Sequence, residues 1–506
     1  MGAIIIQNCN QCVLDIPLKY ANMLYNDFAI RHPNSFYLRT RARGMQDWDG
    51  KIKFINKNGL FKVGLLPAVV NKLKEYGYEE YEIKDQRTPV PLITKPIKSI
   101  GEFKLRPEQI VAVASILNNR LRGIPYHIGV IDYSVNAGKS LIMSAIYLSF
   151  KRKLKTLLIT NDSDWLKQAK DEFKRYLPDE QITFVQGNKV TNWSNFSIGM
   201  VQSLSRNVRL YQGELTKIDM VLVDEADLAS SKTYQNVITH LYNTRVRIGL
   251  SGTIYLSNLA KDRVKNMTLE SFFGTKLAEF RLKDSISKGY STNTVIKMVP
   301  SQPWYGNWES SGRTYQEEYD ETIVDNPCSY KLVYDRLTYN IRYGRLPALI
   351  VCKFVKHADQ MAKFLKKKLP KLTIEVIHVK TKDKLRNNIL ENFRNGKVDI
   401  LISTTIIARG KNLPLLKYMI NTASMDSQEK SIQFLGRLVR THQSKRLVYL
   451  EDIHYQGSYL NRHGKHRKKY YSKEGLKVID LAKHWKKHKN HSLKGKKETM
   501  NNCFFC

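Results

Sequence analysis

The sequence has few cysteines and no long apolar segment. Six cysteines among 506 residues are too few for a disulfide scaffold, so we expect a reducing, cytoplasmic compartment. There is no run of about 18 apolar residues, the length that a membrane-spanning helix requires. The N-terminal residues carry neither the pattern of a secretory signal peptide nor that of a myristoylation site. We therefore expect no association with membranes.

Acidic side chains are scarce relative to basic ones. Asp and Glu number 46 against 83 Lys and Arg, which gives a formal net charge of +37. This surplus exceeds what solubility requires and is typical of proteins that bind a polyanion. The composition therefore predicts a nucleic-acid partner.

The positive charge is concentrated near the C-terminus. Residues 462–497 contain fourteen Lys or Arg and only two acidic residues. We expect this segment to bind DNA phosphates, with a solvated, charged helix face as the alternative. Phosphate binding predicts an affinity that falls steeply with salt, because each neutralised phosphate releases counterions.

The length exceeds what a single hydrophobic core usually holds, so two to four domains are expected. Residues 1–95 read as a small α+β unit with hairpin signals at Asp49-Gly50 and Asn58-Gly59. A proline-rich stretch then predicts a linker. Beyond it, short β-branched runs alternate with helical patterns, which indicates parallel sheets covered by helices. The predicted segments are an accessory nucleic-acid-binding domain (1–95), a first α/β domain (96–290), an interdomain segment (291–330), a second α/β domain (331–455) and a basic C-terminal extension (456–506).

A phosphate-binding loop is predicted between the first strand of the 96–290 region and its helix. The segment Ser134–Ser140 reads Ser-Val-Asn-Ala-Gly-Lys-Ser and includes Asn136 and Ala137. Gly138 lets the backbone approach a phosphate, Lys139 can reach the β- and γ-phosphates, and the Ser140 hydroxyl can hold Mg²⁺. The usual pattern has glycine where Tyr133 stands, so a chance Gly-Lys-Ser at a helix start is the alternative.

An acidic pair follows the predicted strand Met220–Val223. Asp224 and Glu225 lie where a buried strand ends, a costly position for carboxylates unless a cation or a reacting water uses them. Asp224 is expected to hold Mg²⁺ through water, and Glu225 to orient or deprotonate the attacking water. The alternative is a helix N-cap at Asp224 or Asp227. With the loop, the pair predicts a nucleoside-triphosphate site.

With Asp224-Glu225-Ala-Asp227 in place, the chain resembles a superfamily 2 helicase, whose two RecA-like domains close on ATP. Four further segments match motifs of that superfamily in order and spacing: Leu105–Gln109, Ser251–Thr253, Ser403–Pro414 and Gln433–Arg440. The resemblance implies that Arg106 and Gln109 recognise adenine and that Gly410 lies at the nucleotide. It implies that Ser251, Gly252, Thr253 and Gln433 couple ATP to domain closure. Arg437 and Arg440, three apart on an expected helix face, would reach the transferring phosphate.

Within the superfamily, the chain is most similar to the phage UvsW-type recombination helicases. The similar segments are Trp48-Asp-Gly50, Asn136–Ser140, Gly249–Gly252 and Thr314–Glu318. The resemblance implies an ATP- and Mg²⁺-dependent motor that remodels branched DNA in phage replication, recombination and repair. Branch migration, fork regression and the unwinding of displacement loops or R-loops are the expected reactions. A monomer is expected, with phage recombination or single-strand-binding proteins as further partners.

Motor domains of this kind hold DNA mainly by its phosphates, without reading sequence. The positions that match the superfamily's DNA contacts are Thr160, Gln202, Ser203, Lys353, Thr404 and Thr405. In the N-terminal unit, Arg39, Arg41 and Arg43 are expected on one face of an extended segment beside Trp48. Trp48 either stacks at a DNA junction or anchors the Asp49-Gly50 turn.

Several alternatives stay open at the level of sequence. The function could be that of a DEAD-box-like RNA helicase, or of a DNA-binding or annealing protein in which the nucleotide site is only a switch. The aromatic segment Trp304–Trp308 could separate DNA strands or cover a domain interface. Two C-x-x-C pairs, Cys9/Cys12 and Cys503/Cys506, could together bind one zinc ion if the chain ends meet.

Overall fold

The computed structural model describes residues 2–41, 47–90, 95–150, 153–187, 190, 192–255, 260–301, 313–408 and 413–482. The chain forms two compact units, with the division after Phe280. None of the helices within those ranges is both long enough and apolar enough to cross a membrane.

The first unit contains a small N-terminal sheet followed by a large parallel sheet. Its elements in chain order are β1 (Gly2–Ile6), β2 (Gln11–Asp15), α1 (Leu18–Asp27), β3 (Ala29–Arg31), α2 (Ser35–Arg41), β4 (Lys51–Lys53), β5 (Leu60–Lys62), α3 (Leu66–Glu75), β6 (Tyr81–Asp85), β7 (Ser99–Ile100), β8 (Phe103–Lys104), α4 (Pro107–Leu117), β9 (Arg120–Leu121), β10 (Ile124–Pro125), β11 (Ile128–Tyr133), α5 (Lys139–Ser149), β12 (Thr156–Thr160), α6 (Ser163–Tyr176), β13 (Ile182–Val185), β14 (Phe196–Met200), α7 (Val201–Arg206), α8 (Gln212–Leu215), β15 (Met220–Asp224), α9 (Lys232–Ile238), β16 (Val246–Ser251), α10 (Ala260–Phe273) and β17 (Lys276–Phe280).

The large sheet of the first unit is entirely parallel, with strand order β13-β14-β12-β15-β16-β11-β17. Strands β11, β12, β15 and β16 are buried along their whole length, as expected for strands covered by helices on both faces. The carboxyl ends of β11, β16 and β15 are neighbours in this order. The phosphate loop, Ser251 and Asp224 therefore share one sheet edge.

The N-terminal residues are joined to the large sheet by specific contacts. A side chain at Gly64 would collide with the backbone oxygen of Glu270 on α10. The Tyr126 hydroxyl donates to the Val63 oxygen at 2.7 Å, and buried Arg247 donates to the Cys9 oxygen at 3.0 Å. Although the sequence suggests a boundary near residue 95, both sides of it lie in one compact unit.

One predicted hairpin is wrong and the other is present. Strand β4 pairs antiparallel with β3, with Ile30 opposite Ile52, so the chain does not turn back tightly at Asp49-Gly50. The predicted turn is present at Asn58-Gly59. Gly59 has a φ of +74°, and Ile55 forms a β-bridge with Phe61. The Asp-Gly pair instead lies at the end of a longer connection between β3 and β4.

The second unit is built on another parallel sheet. Its elements are α11 (Leu282–Ser287), β18 (Asn293–Pro300), α12 (Tyr315–Tyr319), α13 (Pro327–Arg342), β19 (Ala348–Val351), α14 (Val355–Lys368), β20 (Ile374–Ile377), α15 (Asp383–Arg394), β21 (Ile400–Ser403), β22 (Tyr418–Asn421), α16 (Gln428–Leu438), β23 (Leu447–His454), α17 (Ser458–Lys473) and β24 (Val478–Asp480).

The second sheet has the order β20-β21-β19-β22-β23-β18-β24, again all parallel. The predicted fold class, two tandem parallel sheets covered by helices, is confirmed. The sheet also includes β18 and β24, from the segments that the sequence suggests as interdomain and C-terminal. Both strands thus contribute to the framework of this unit.

Candidate nucleotide site and nucleic-acid contacts

The phosphate loop connects β11 to the start of α5. Asn136 and Gly138 both have left-handed backbone conformations, with φ values of +65° and +73°. The positive φ of Gly138 favours glycine, and a Cβ atom there would lie 2.6 Å from the Gln109 Nε2 atom, so any other residue would have to displace the Gln109 amide. The loop ends at Lys139 and Ser140 in the first turn of α5. Free N–H groups and the positive end of the helix dipole make this turn suited to an anion.

Arg106 and Gln109 support the loop directly. The Gln109 Oε1 atom accepts from the Arg106 backbone N–H, and its Nε2 donates to the Ala137 oxygen, both at 2.9 Å. The Arg106 guanidinium donates to the Asn136 oxygen at 3.4 Å. The structure therefore brings the two residues predicted to recognise adenine against the loop, and shows that they also hold it in shape.

Tyr133 explains how the loop forms without the usual first glycine. Its ring is buried, and its hydroxyl donates to the Glu108 oxygen at 2.6 Å, so the side chain points away from the loop. The Tyr133 backbone oxygen accepts from Lys139 Nζ at 3.4 Å. The substitution thus leaves the backbone available to the lysine.

Asp224 lies buried at the carboxyl end of β15. Burial raises the pKa of its carboxyl above the ordinary value, and the nearby positive charge of Lys139 acts in the opposite direction. Glu225, which follows, is only partly buried and has a left-handed φ of +52°. Such a backbone is strained for a residue other than glycine and is often found at functional sites. A buried carboxylate close to a lysine and a helix N-terminus fits a nucleotide bound with Mg²⁺.

Residues 251–253 link the acidic segment to the phosphate loop. The Ser251 hydroxyl donates to Asp227 Oδ1 at 2.6 Å and accepts from the Thr253 backbone N–H at 3.1 Å. A Cβ atom at Gly252 would come within 2.9 Å of both the Tyr133 oxygen and the Ser134 Cα. The segment predicted to couple ATP to closure is therefore packed directly on the loop.

The predicted arginines of the second unit lie at the end of α16. Arg437 is in the last turn, whereas Arg440 lies beyond the helix, which ends at Leu438. The expectation that both share one helix face is wrong. Thr292 holds this end, because its N–H donates to the Val439 oxygen at 2.7 Å and its hydroxyl to the Arg440 oxygen at 3.2 Å. Lys445 Nζ donates to the Leu438 oxygen at 3.0 Å.

Two other predicted residues of this region have different outcomes. Gln433 lies on α16, where its amide donates to Glu429 Oε1 at 3.4 Å. Gly410 lies outside the described residues.

The predicted DNA contacts of the first unit lie at neighbouring strand ends. Thr160 ends β12, while Gln202 and Ser203 follow β14, which pairs with β12. The Ser203 hydroxyl accepts from the Gly187 N–H at 2.9 Å, and the Thr160 hydroxyl from the Asp162 N–H at 3.3 Å. The structure brings the three together at one sheet edge.

Lys353, Thr404 and Thr405 form the corresponding group in the second unit. Lys353 follows β19, the two threonines follow β21, and these strands are paired. The Lys353 ammonium lies 3.7 Å from the ring centroid of Tyr315, 4.8 Å from that of Phe354 and 5.9 Å from that of Tyr319. Burial, with a smaller effect of the Lys430 charge, lowers the pKa of Lys353 to about 8.

The N-terminal prediction needs correction in one respect. Arg39 lies on the short helix α2, not on an extended segment, because residues 35–41 form helical turns. Arg43 and the side chain of Arg41 are outside the described residues. Trp48 donates from its indole to the Lys51 oxygen at 2.9 Å, and its ring lies 6.0 Å from that of His32. These contacts match the anchoring alternative.

The cysteines do not favour a metal site. Cys12 is completely buried in the apolar core of the N-terminal sheet. Burial raises the pKa of both the Cys9 and the Cys12 thiol, which opposes the thiolate form that zinc requires. Cys503, Cys506 and the segment 304–308 lie outside the described residues.

Two features of the second unit escape sequence reasoning. Glu318 is buried and accepts hydrogen bonds from the N–H groups of Ser458, Tyr459 and Leu460 at the start of α17. Arg467, counted in the sequence among the DNA-binding residues, lies fully buried against Asp452. The spacing of Leu460, Arg467 and Tyr471 on one helix face is the signal that could have indicated burial.

The first unit carries a phosphate loop and an acidic strand end on one parallel sheet, and a second parallel sheet follows in the second unit. This arrangement is that of a RecA-like nucleotide-driven motor. Residues 102–256 match the family "Type III restriction enzyme, res subunit" and residues 334–442 match "Helicase conserved C-terminal domain".

Similar proteins and structures agree with these matches. The ATP-dependent DNA helicase uvsW of Enterobacteria phage T4 is 23% identical over 80% of this chain and 82% of its own length. The putative ATP-dependent helicase IRC3 of Saccharomyces cerevisiae is 20% identical over 69% of this chain and 51% of its own. A fragment of a putative HsdR subunit of a type I restriction enzyme from Vibrio vulnificus has a similar fold, with 16% identity and a TM-score of 0.53 over 74% of this chain and 67% of that one. The chain therefore has the two domains of a superfamily 2 helicase and is an ATP-driven helicase.

Proposed function

We propose that this helicase is a DNA motor that uses ATP and Mg²⁺ to remodel branched DNA during phage replication, recombination and repair. Branch migration, fork regression and the unwinding of displacement loops or R-loops are its reactions. The similarity to uvsW, a DNA helicase of a phage, and the net charge of +37 support this choice of substrate. We further propose a monomer that works with phage recombination or single-strand-binding proteins.

The phosphates of ATP bind at the N-terminus of α5. Residues of the loop, including Asn136, Ala137 and Gly138, would hold them, and Lys139, which donates to the Tyr133 oxygen, would bind the β- and γ-phosphates. Ser140 and Asp224 would hold Mg²⁺, the latter through water. When bound, the ion neutralises charge on the phosphates. Arg106 and Gln109 recognise the adenine.

Hydrolysis requires groups that act on the water and on the transferring phosphoryl group. Glu225 orients the attacking water, and its position beside the buried carboxylate of Asp224 supports this role. Arg437 and Arg440 stabilise the charge of the transition state, an effect of about 10³–10⁵ in rate where such arginines have been measured. Ser251, Gly252, Thr253 and Gln433 transmit the state of the nucleotide.

DNA is held along its phosphates at two sheet edges. Thr160, Gln202 and Ser203 serve the first unit, and Lys353, Thr404 and Thr405 serve the second. Residues 1–95 act as an accessory DNA-binding part, and the basic residues of α17 and beyond add affinity that depends on salt. Alternation of the grip between the two units would move the protein along its track.

The observation that carries the proposal is the burial of Asp224 beside Lys139 at the end of the phosphate loop. The test is DNA-stimulated ATP hydrolysis by Lys139→Ala and Glu225→Gln. Both variants should lose at least 100-fold in turnover while still binding a synthetic four-way junction. Undiminished hydrolysis in both would refute the proposal. Comparing stimulation by duplex DNA and by single-stranded RNA separates a DNA motor from an RNA helicase.

A further inference from the structure

An aromatic pair on the N-terminal helix α2 is strongly exposed. Phe36 is 80% exposed and the adjacent Tyr37 is 54% exposed. Arg39 lies two residues further along the same helix and is also exposed. We call Phe36, Tyr37 and Arg39 the α2 patch. Large apolar side chains usually avoid this degree of exposure, and exposed aromatic residues beside cations are typical of nucleic-acid binding surfaces.

The structure holds the base of α2 firmly. The helix lies in the connection, residues 32–50, between the paired strands β3 and β4. The two ends of this connection are hydrogen-bonded to each other: the His32 N–H donates to the Gly50 oxygen at 2.8 Å. A Cβ atom at Gly50 would lie 3.0 Å from the Ser35 Cβ, so the start of the helix packs against this glycine. The patch therefore projects from a closed base.

Trp48 belongs to that base. Its indole N–H is bonded to the Lys51 oxygen at 2.9 Å and its ring is only partly exposed. It is less available to a ligand than Phe36, and its contacts match the anchoring one of the two roles that the sequence left open for it. The neighbouring carboxylate of Asp49 is paired with Lys53 at 3.1 Å, which reduces its repulsion of a phosphate.

We propose that Phe36 and Tyr37 stack on unpaired bases where the strands of a DNA branch separate, and that Arg39 binds the adjoining phosphate. Bases stack on aromatic rings irrespective of sequence, which suits a motor that must act at any branch. Unpaired bases occur at a branch point but not in continuous duplex. The patch would thus give selectivity for branched DNA, and this inference rests on the proposed function.

The test compares Phe36→Ala/Tyr37→Ala with a matched control in the full-length protein. The control, Tyr339→Ala/Tyr343→Ala, removes another exposed aromatic pair, which lies in the second unit and is 42% and 61% exposed. The probe is a synthetic fork with 2-aminopurine at the branch point, and its fluorescence reports stacking. Affinities for the fork and for a linear duplex are measured with the same samples.

The α2 variant should lose the fluorescence change, and its preference for the fork over linear duplex should fall about tenfold or more. The control variant should keep both, and the ATPase stimulated by linear duplex DNA, which offers no unpaired bases, should be unchanged in all proteins. Phe36→Leu/Tyr37→Leu, which keeps the apolar surface without rings, should behave like the alanine variant. Preserved fork preference in the α2 variant would overturn the inference. If the unmodified protein shows no DNA-stimulated ATPase, the proposed function itself fails.

Discussion

The guanidinium of Arg467 and the carboxylate of Asp452 form a buried ion pair in the second unit. The Arg467 Nη2 atom lies 2.8 Å from Asp452 Oδ1, and the two side chains are 1% and 0% exposed. Asn421 and Tyr471 donate to the same carboxylate at 2.9 Å and 2.7 Å. Arg467 Nε also donates to this carboxylate, Nη1 donates to the Met425 oxygen, and Nη2 donates in addition to the Ile453 oxygen. The network joins α17 to strands β22 and β23.

Replacing Arg467 by methionine should therefore destabilise the protein. The substitution leaves a buried carboxylate without its cation, and breaking such a pair typically costs about 3–5 kcal/mol. The free energy of unfolding in urea measures this effect. Lys469→Met, on the exposed side of the same helix, is the control and should change stability by less than about 0.5 kcal/mol. Equal stability of the two variants would contradict the structural role of Arg467.

The exposed side of α17 should contribute to DNA binding through charge alone. Arg462, Lys465 and Lys469 are exposed, whereas Leu460, Arg467 and Tyr471 on the same helix are buried. Changing the three exposed residues to glutamine should lower the slope of log affinity against log salt by about 2 to 3. Lys366→Gln/Lys367→Gln/Lys368→Gln, at the exposed end of α14, removes the same charge elsewhere. An equal loss of slope in both triple variants would show that the net charge of the whole protein sets the slope. That result would contradict a specific contribution of α17.

Deletion of the whole basic segment cannot test this idea, because it would remove α17 and β24 from the second unit. Truncation after Ala482 keeps both elements and removes only the residues beyond them. If the truncated protein retains the full salt slope and the triple variant does not, the basic side of α17 is sufficient.

Lys353 should make DNA affinity depend on pH. Its pKa is lowered to about 8, so the ammonium is present at pH 7 and is lost as pH rises through about 8. A phosphate contact through this group should weaken over the same range. Affinity for a short single strand, measured from pH 7 to 9 at constant salt, reports the change. Lys353→Arg, which stays charged throughout, should give a flatter profile. A pH dependence of equal size in Lys353→Arg would place the titrating group elsewhere.

A methyl group at Gly252 should disturb the phosphate loop. The new Cβ would lie 2.9 Å from the backbone at Tyr133 and Ser134, and backbone atoms cannot move aside as a flexible side chain can. Gly252→Ala should therefore lower ATP turnover at least tenfold with little effect on DNA affinity. Gly213→Ala is the control, since a Cβ atom there meets nothing within 4 Å. Normal turnover in Gly252→Ala would show that residues 251–253 tolerate displacement from the loop.

The motif sequence and the alternation of apolar runs with helical patterns determined the fold class and predicted the residues of the candidate nucleotide site. These features are local: a loop between a strand and a helix needs only a few residues in a fixed order, such as Asn136 to Ser140. The position of Asp224 at a strand end follows in the same way, from the apolar run that precedes it.

Only the tertiary structure decided which charged and aromatic residues face solvent. Arg467 reads as one basic residue among many, yet the strands opposite α17 supply the carboxylate that allows its burial. Phe36 carries no sequence signal of its own, and it lies exposed on the helix between the paired strands β3 and β4. Both outcomes depend on residues distant in sequence, and composition and periodicity carry no information about such partners. The same holds for Asp49-Gly50. This local signal predicts a tight hairpin turn, whereas β4 pairs with the more distant β3.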